Sequence, residues 1–194
     1  MKFNIYKFQS VTSTNDIAIN LIKQKNKITG CVFSEKQTQG RGTHAKSWVS
    51  NKGNLFMSIF FPLKKKYPPF NEFVTVNPII ISNVIKLFCN RKVISLKWPN
   101  DILLNKKKIC GILQEVITKN SKKFLIIGIG LNILSNPLIE TEHGATNLFI
   151  ETKKKCSINK IGKLIIVSYE NFFKNLTSYK YTNFKKKADL LVLK

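Results

Sequence analysis

Short apolar strands that alternate with a few helical stretches make this 194-residue chain an α/β or α+β domain. Three observations carry that reading. With 43% hydrophobic residues the chain can bury a core, so it is not a disordered basic tail. Apolar runs recur between clusters of Gly, Pro, Asn and Lys, the pattern of strands separated by turns. Helical spacing of apolar residues is confined to segments following Ser13, Phe73 and Ile158.

Residues 3 to 8 alternate like an edge strand, and Ser13-Thr14-Asn15-Asp16 then matches a capping box ahead of the stripe Ile17, Leu21 and Ile22. Gly30 ends this unit and Cys31-Val32-Phe33 reads as a buried strand. A long polar loop from Gln37 to Ser47 precedes a strand over 55–61; loops of this length are usually functional or disordered. After Pro68-Pro69 the spacing predicts a core helix from about Phe73 to Cys89, with Pro78 in an early turn or at a kink. Runs over 94–104 and 109–116, joined by Asn105-Lys106-Lys107-Lys108, read as a hairpin, and Phe124 to Leu134 as a further buried strand. Ile158, Ile161, Ile165, Tyr169, Phe172 and Leu176 predict a closing helix, after which Tyr179 to Lys194 holds at most one strand. The expected organisation is one catalytic-size domain over 1–178 and a short tail over 179–194.

Composition excludes several classes. The longest uncharged apolar stretch, Phe124 to Leu131, is far short of the roughly 20 residues that span a bilayer, and the N-terminus lacks a signal-peptide core. A cytoplasmic protein without a membrane partner is expected. Cys31, Cys89, Cys110 and Cys156 form no CxxC and the chain has two histidines, so neither a zinc site nor a disulfide framework is indicated. The formal charge of +23 ordinarily argues for a polyanionic partner. Of the 33 basic residues, however, only Arg41 and Arg91 are arginine, and the lysine runs at 64–66, 106–108 and 153–155 lack interleaved aromatics, so they read as solvated edges and no nucleic-acid site is expected.

Chemistry concentrates in two places. In Gln37-Thr38-Gln39-Gly40-Arg41-Gly42 the glycines bracket an arginine whose planar fork pairs with carboxylate or phosphate, and Trp48 follows. By itself this string is either an anion-binding loop or an ordinary surface turn. Lys97-Trp98-Pro99-Asn100-Asp101 interrupts an apolar run; it is either a bulge anchored by a buried tryptophan, with Lys97 reaching outward, or a site beside one. Walker, GxGxxG, HExxH and GxSxG motifs are missing, which leaves positioning and charge neutralisation as the available chemistry.

Together with Ser13-Thr14-Asn15, Asn51-Lys52-Gly53-Asn54-Leu55, Gly111-Ile112-Leu113-Gln114-Glu115 and Gly128-Ile129-Gly130-Leu131-Asn132, these strings resemble the catalytic domain of the biotin protein ligase family over roughly residues 10 to 150. The resemblance implies an α+β fold, a mixed β-sheet flanked by helices and related to lipoate ligases and class II aminoacyl-tRNA synthetases. It implies activation of biotin by MgATP to biotinyl-5′-AMP, then transfer to a lysine of a biotin carboxyl carrier protein of acetyl-CoA carboxylase or a related carboxylase. Lys97 and Arg41 would be catalytic. Biotin would be held by Ser13, Thr14, Asn15, Gln37, Gly40, Arg41, Gly42, Thr43, Lys97 and Gly111; ATP by Arg41, Trp48, Asn54, Lys97, Gly130 and Asn132; no residue is assigned to the metal ion.

Two departures stand out. Thr43-His44-Ala45-Lys46 replaces the basic and Gly-Arg residues usual after GRG, which bears on how the loop orders over the adenylate. Members also usually end in a small β-barrel domain, which would begin where this sequence stops, while Ser13 comes too early for an N-terminal DNA-binding domain, so repressor function is not expected. A lipoate–protein ligase or octanoyltransferase, a basic nucleic-acid-binding protein and a degenerate ligase that binds biotin without completing catalysis are the alternatives.

Overall fold

A computed structural model describes residues 1–89, 94–137 and 144–193. Seven strands form one sheet: β1 (Asn4–Val11), β2 (Gly30–Gln37), β3 (Leu55–Pro62), β4 (Ile94–Lys97), β5 (Asp101–Leu104), β6 (Lys107–Lys119) and β7 (Lys122–Leu131). Their spatial order is β1-β2-β3-β7-β6-β5-β4, with β1 and β2 parallel and every other pair antiparallel. Among the described residues the α-helices are α1 (Thr14–Lys23), α2 (Phe73–Ile85), α3 (Leu148–Thr152), α4 (Ile158–Lys174) and α5 (Tyr181–Asp189).

Because side chains alternate across a strand, each central strand serves two layers. Leu125, Ile127, Ile129 and Leu131 of β7 join Leu55, Met57, Ile59 and Phe61 of β3 in the main core, under Val76, Ile79 and Ile81 of α2 and Ile161, Ile165 and Tyr169 of α4. The opposite face is smaller. There Phe124 and Ile126 of β7, Val32 and Phe60 pack against Ala18 and Ile22 of α1. Lys119 Nζ fixes the end of α1 by donating to the carbonyls of Ile22 (2.7 Å) and Lys23 (2.6 Å) and to Asn26 Oδ1, the favourable place for a cation on a helix.

Four expectations change. Ser13 is the N-cap of α1 but its side chain makes no capping hydrogen bond, and the Asp16 carboxylate, the other half of the expected box, turns to Arg41. Pro78 lies inside α2, a single 3-10 turn over Phe70–Glu72 having led into the helix before it. The run over 94–104 is two strands, not one: Trp98-Pro99-Asn100, with a cis Trp98–Pro99 bond, is the turn between β4 and β5. The bulge lies further on, between Ile102 and Leu103 against β6, and Trp98 is exposed. Finally, the segment after Tyr179 is mostly helical. Ala188 of α5 is buried, Tyr181 reaches Thr75 of α2 (3.1 Å), and beyond the helix Leu191 accepts from the Leu96 amide (2.7 Å) while Leu193 donates back to Leu96 (3.0 Å).

Candidate active site

On the α1 face of the sheet, β7 loses its side chains just past Ile126: the next two positions on that face are Gly128 and Gly130, followed by Asn132. Close packing requires the glycines. A Cβ on Gly128 would stand 2.6 Å from Asn15 Oδ1, one on Gly111 of β6 would stand 2.6 Å from Trp48 Cζ3, and one on Gly130 would overlap the same indole. Gly111 and Gly130 are paired across β6 and β7, so they form one bare floor. Two strand residues span about 7 Å, so Asn15 and Trp48 mark the two ends of that floor. Above it opens a cavity of about 530 Å³, within the range of roughly 300–1,000 Å³ usual for small-molecule sites.

At the Asn15 end the polar side chains form one connected network. Gln37 Oε1 accepts from the Thr14 amide (2.9 Å) and Thr14 Oγ1 (3.1 Å), and Gln37 Nε2 donates to Ser50 Oγ (3.0 Å). Ser58 Oγ stands 2.7 Å from Thr14 Oγ1 and 2.5 Å from Asn15 Oδ1. Asn15 Nδ2 donates to Glu115 Oε2 (2.6 Å), which joins the network to Arg41. Thr14, Asn15 and Ser58 are buried.

The loop between β2 and β3 arches over the other end. Arg41 bridges Ser47, the Gly42 amide donates to Lys46 O (2.7 Å) and the Trp48 amide to Gly40 O (2.8 Å). Its tip, His44 and Ala45, has φ of 54° and 56°, so Thr43 to Lys46 closes as a tight turn of a miniature hairpin, and Thr43 Oγ1 accepts from Asn100 Nδ2 (3.3 Å). Lys46, Lys97 and Lys108 line the cavity, where Asp101 is the one lining carboxylate among the described residues. Lys108 Nζ is 2.9 Å from Asp101 Oδ1, an ion pair without hydrogen-bond geometry, and 5.4 Å from the Trp48 ring centroid.

Arg41 is engaged within the protein. Nη1 and Nη2 donate to the two oxygens of Glu115 (2.9 Å each) and Nη2 also to Asp16 Oδ1 (2.7 Å). Burial alone would lower its pKa; the Glu115 and Asp16 bonds and charges outweigh that and raise it.

Ser13, Thr14, Asn15, Gln37, Arg41, Gly42, Thr43, Trp48, Lys97, Gly111, Gly130 and Asn132 all line the cavity. Gly40 and Asn54 do not. Gly40 packs behind the loop, where a Cβ would stand 2.5 Å from Trp48 O. Asn54 is buried beneath the floor, its Oδ1 accepting from the amides of Ile133, Leu134 and Ser135 (2.8, 3.2 and 3.2 Å) as a cap on the turn after β7.

Sequence reasoning missed Asp16, Ser58, Asp101, Lys108 and Glu115. Lys108 belongs to a lysine run that reads as a solvated edge, yet of that run Lys106 and Lys107 are exposed and Lys108 is half-buried. The available signal for Glu115 was a carboxylate inside the apolar run 109–117. Among the described residues no three His, Cys, Asp or Glu side chains converge as a metal group.

The fold and this floor define a member of one enzyme superfamily: the chain belongs to the biotin/lipoate A/B protein ligase family, whose model matches residues 6–132. Several of the proteins it is similar to carry biotin ligase names. Biotin–protein ligase 2 of Arabidopsis thaliana is 30% identical over 176 residues, 84% of this chain and 50% of that protein. The biotin protein ligase of Leishmania major in complex with biotinyl-5-AMP superimposes with a TM-score of 0.81 at 27% identity, over 98% of this chain and 81% of that one. That of Aquifex aeolicus in complex with biotin and ATP gives 0.78 at 26%, over 98% and 78%. The chain spans about half the length of the curated relatives it matches. The mixed sheet flanked by helices that the resemblance implied is the observed fold.

Proposed function

We propose that this chain is the catalytic domain of a biotin protein ligase, which activates biotin with ATP and passes it to a lysine of a biotin carboxyl carrier protein. The observation that carries this reading is the glycine floor with a neutral polar network at one end and a tryptophan flanked by lysines at the other. Biotin's ring would lie toward Ser13, Thr14, Asn15 and Gln37, whose donors and acceptors are neutral and suit an uncharged ureido group. The nucleotide would lie toward Trp48. There two buried polar atoms lack partners among the described residues, the donor Trp48 Nε1 and the acceptor Asn132 Oδ1. A purine offers ring nitrogens as acceptors and an exocyclic amine as donor, which complements that pair.

In the first step a biotin carboxylate oxygen attacks the α-phosphorus and pyrophosphate leaves with the bonding electrons. Lys97 and Lys108, with Lys46 from the loop, supply positive charge where negative charge builds on the phosphoryl oxygens. Arg41 keeps two of its five N–H donors for the ligand's anionic end. Mg²⁺ would screen the phosphates, and Asp101 is the carboxylate that lines the cavity among the described residues. In the second step a carrier lysine amine attacks the acyl carbon and AMP departs. The basic surface favours an acidic carrier domain of acetyl-CoA carboxylase or a related carboxylase, and four free thiols suit a cytoplasmic setting.

The test is exchange of labelled pyrophosphate into ATP. Exchange that depends on biotin supports the proposal, exchange that depends on lipoate transfers the chain to the sister activity, and biotin binding without exchange makes it a binder only.

A further inference from the structure

Glu115 is a carboxylate that touches both the Asn15 end of the site and the loop arginine. Its Oε2 accepts from Asn15 Nδ2 (2.6 Å) and from Arg41 Nη2 (2.9 Å), while Oε1 takes Arg41 Nη1 (2.9 Å). Asp16, one residue beyond Asn15 on α1, closes the guanidinium from the other side at 2.7 Å. Strand alternation explains how Glu115 comes to be there. Glu115 shares its face of β6 with Leu113 and Gly111, which pair with Gly128 and Gly130, whereas its neighbour Gln114 points to the opposite core and accepts from Asn77 (2.8 Å).

The charge balance follows. Arg41 carries one positive charge against two carboxylates, so alone it is not an anion trap; the cavity's positive charge comes from its lysines. What the pair of carboxylates does is orient the guanidinium and tie the loop hairpin that carries it down onto β6 and α1. We infer that Glu115 is a positioning residue: it couples the Asn15 end of the cavity to Arg41, so that the polar network and the loop hairpin form one unit. This deepens the proposed biotin site and rests on that reading for its ligand.

The experiment is a double-mutant cycle of Glu115→Gln and Arg41→Lys in the full chain, read in two ways. Without ligand, hydrogen exchange is followed at the Gly42, Lys46 and Trp48 amides, whose bonds hold the hairpin. With ligand, biotin affinity is measured by calorimetry. Glu115→Gln should speed exchange at those amides about tenfold and weaken biotin about tenfold, the loss of one charge-assisted hydrogen bond. The double variant should be no worse than the weaker single one, because both break the same link. Asp16→Asn, at a half-exposed helix position, should give the same pattern more weakly and serves if Glu115→Gln does not fold. Additive effects, or unchanged exchange in Glu115→Gln and in Asp16→Asn, would overturn the inference. If the unaltered chain fails to bind biotin, the ligand reading falls, and the exchange data alone decide whether Glu115 holds the hairpin.

Discussion

Lys108 and Asp101 pair at 2.9 Å across the β5–β6 hairpin, next to the Trp48 ring. That pair puts a second lysine beside the one expected from sequence. Lys97→Ala and Lys108→Ala should each fold and bind biotin, because the Asn15 network does not involve them. Loss of an electrostatic donor aimed at the transition state costs about 2.7 to 4 kcal/mol, a rate factor on the order of a hundred to a thousand. Single-turnover adenylation rates assign the role: the lysine whose removal leaves the rate unchanged is not the stabilising group.

The bare floor yields a cleaner split. Gly111→Ala would drive a methyl to within 2.6 Å of the Trp48 ring, which has sheet beneath it and must lift. ATP affinity should fall by tenfold or more while biotin affinity stays within about twofold, since Asn15 lies two strand residues further along. Equal loss of both ligands in calorimetry would mean that the two ends are not separable.

A buried network outside the cavity makes a stability prediction. Tyr169 Oη donates to Asn77 Oδ1 (2.8 Å) and Asn77 Nδ2 donates to Gln114 (2.8 Å), with Tyr169 and Asn77 fully buried. Tyr169→Phe leaves the Asn77 acceptor unpaired and should cost about 1 to 3 kcal/mol. Denaturant melts should register that loss with the adenylation rate unchanged.

Burial also sets the alkaline limit. It raises the pKa of Cys31, Cys110 and Tyr169, and pushes the Cys89 thiol up to about 11 from an ordinary 9.0. Above pH 9 the unfolded thiols ionise while the folded ones hold their protons, so the unfolded state gains. Stability should be flat with respect to these groups below pH 9 and fall as pH rises through 11. Melting temperatures from pH 8 to 11 test the sign, and Cys89→Ser should flatten part of the slope.

Local patterns were legible where a residue's neighbours in sequence decide its environment. The strand into α1, the buried β2 and β3, and the 3.6-residue stripe of α4 are of this kind, and twelve of the fourteen residues that the strings nominate line the cavity. The errors came from long-range partners. Lys97 to Asp101 looked like one interrupted strand because nothing local says that β4 folds back on β5. Lys108 looked solvated because its surroundings, Trp48 and Asp101, come from a distant loop and the neighbouring strand. Asp16 matched a capping box, but an arginine 25 residues away outcompeted the helix amide.

The last described residues bear on which edge of the sheet stays open. Leu96 turns both its N–H and its C=O out from β4, and Leu191 and Leu193 take both. One margin of the sheet is thereby occupied at that position by the chain itself, while β1 at the other margin stays largely exposed. Addition of a further strand is therefore blocked at Leu96 of β4, whereas β1 still offers its backbone to one.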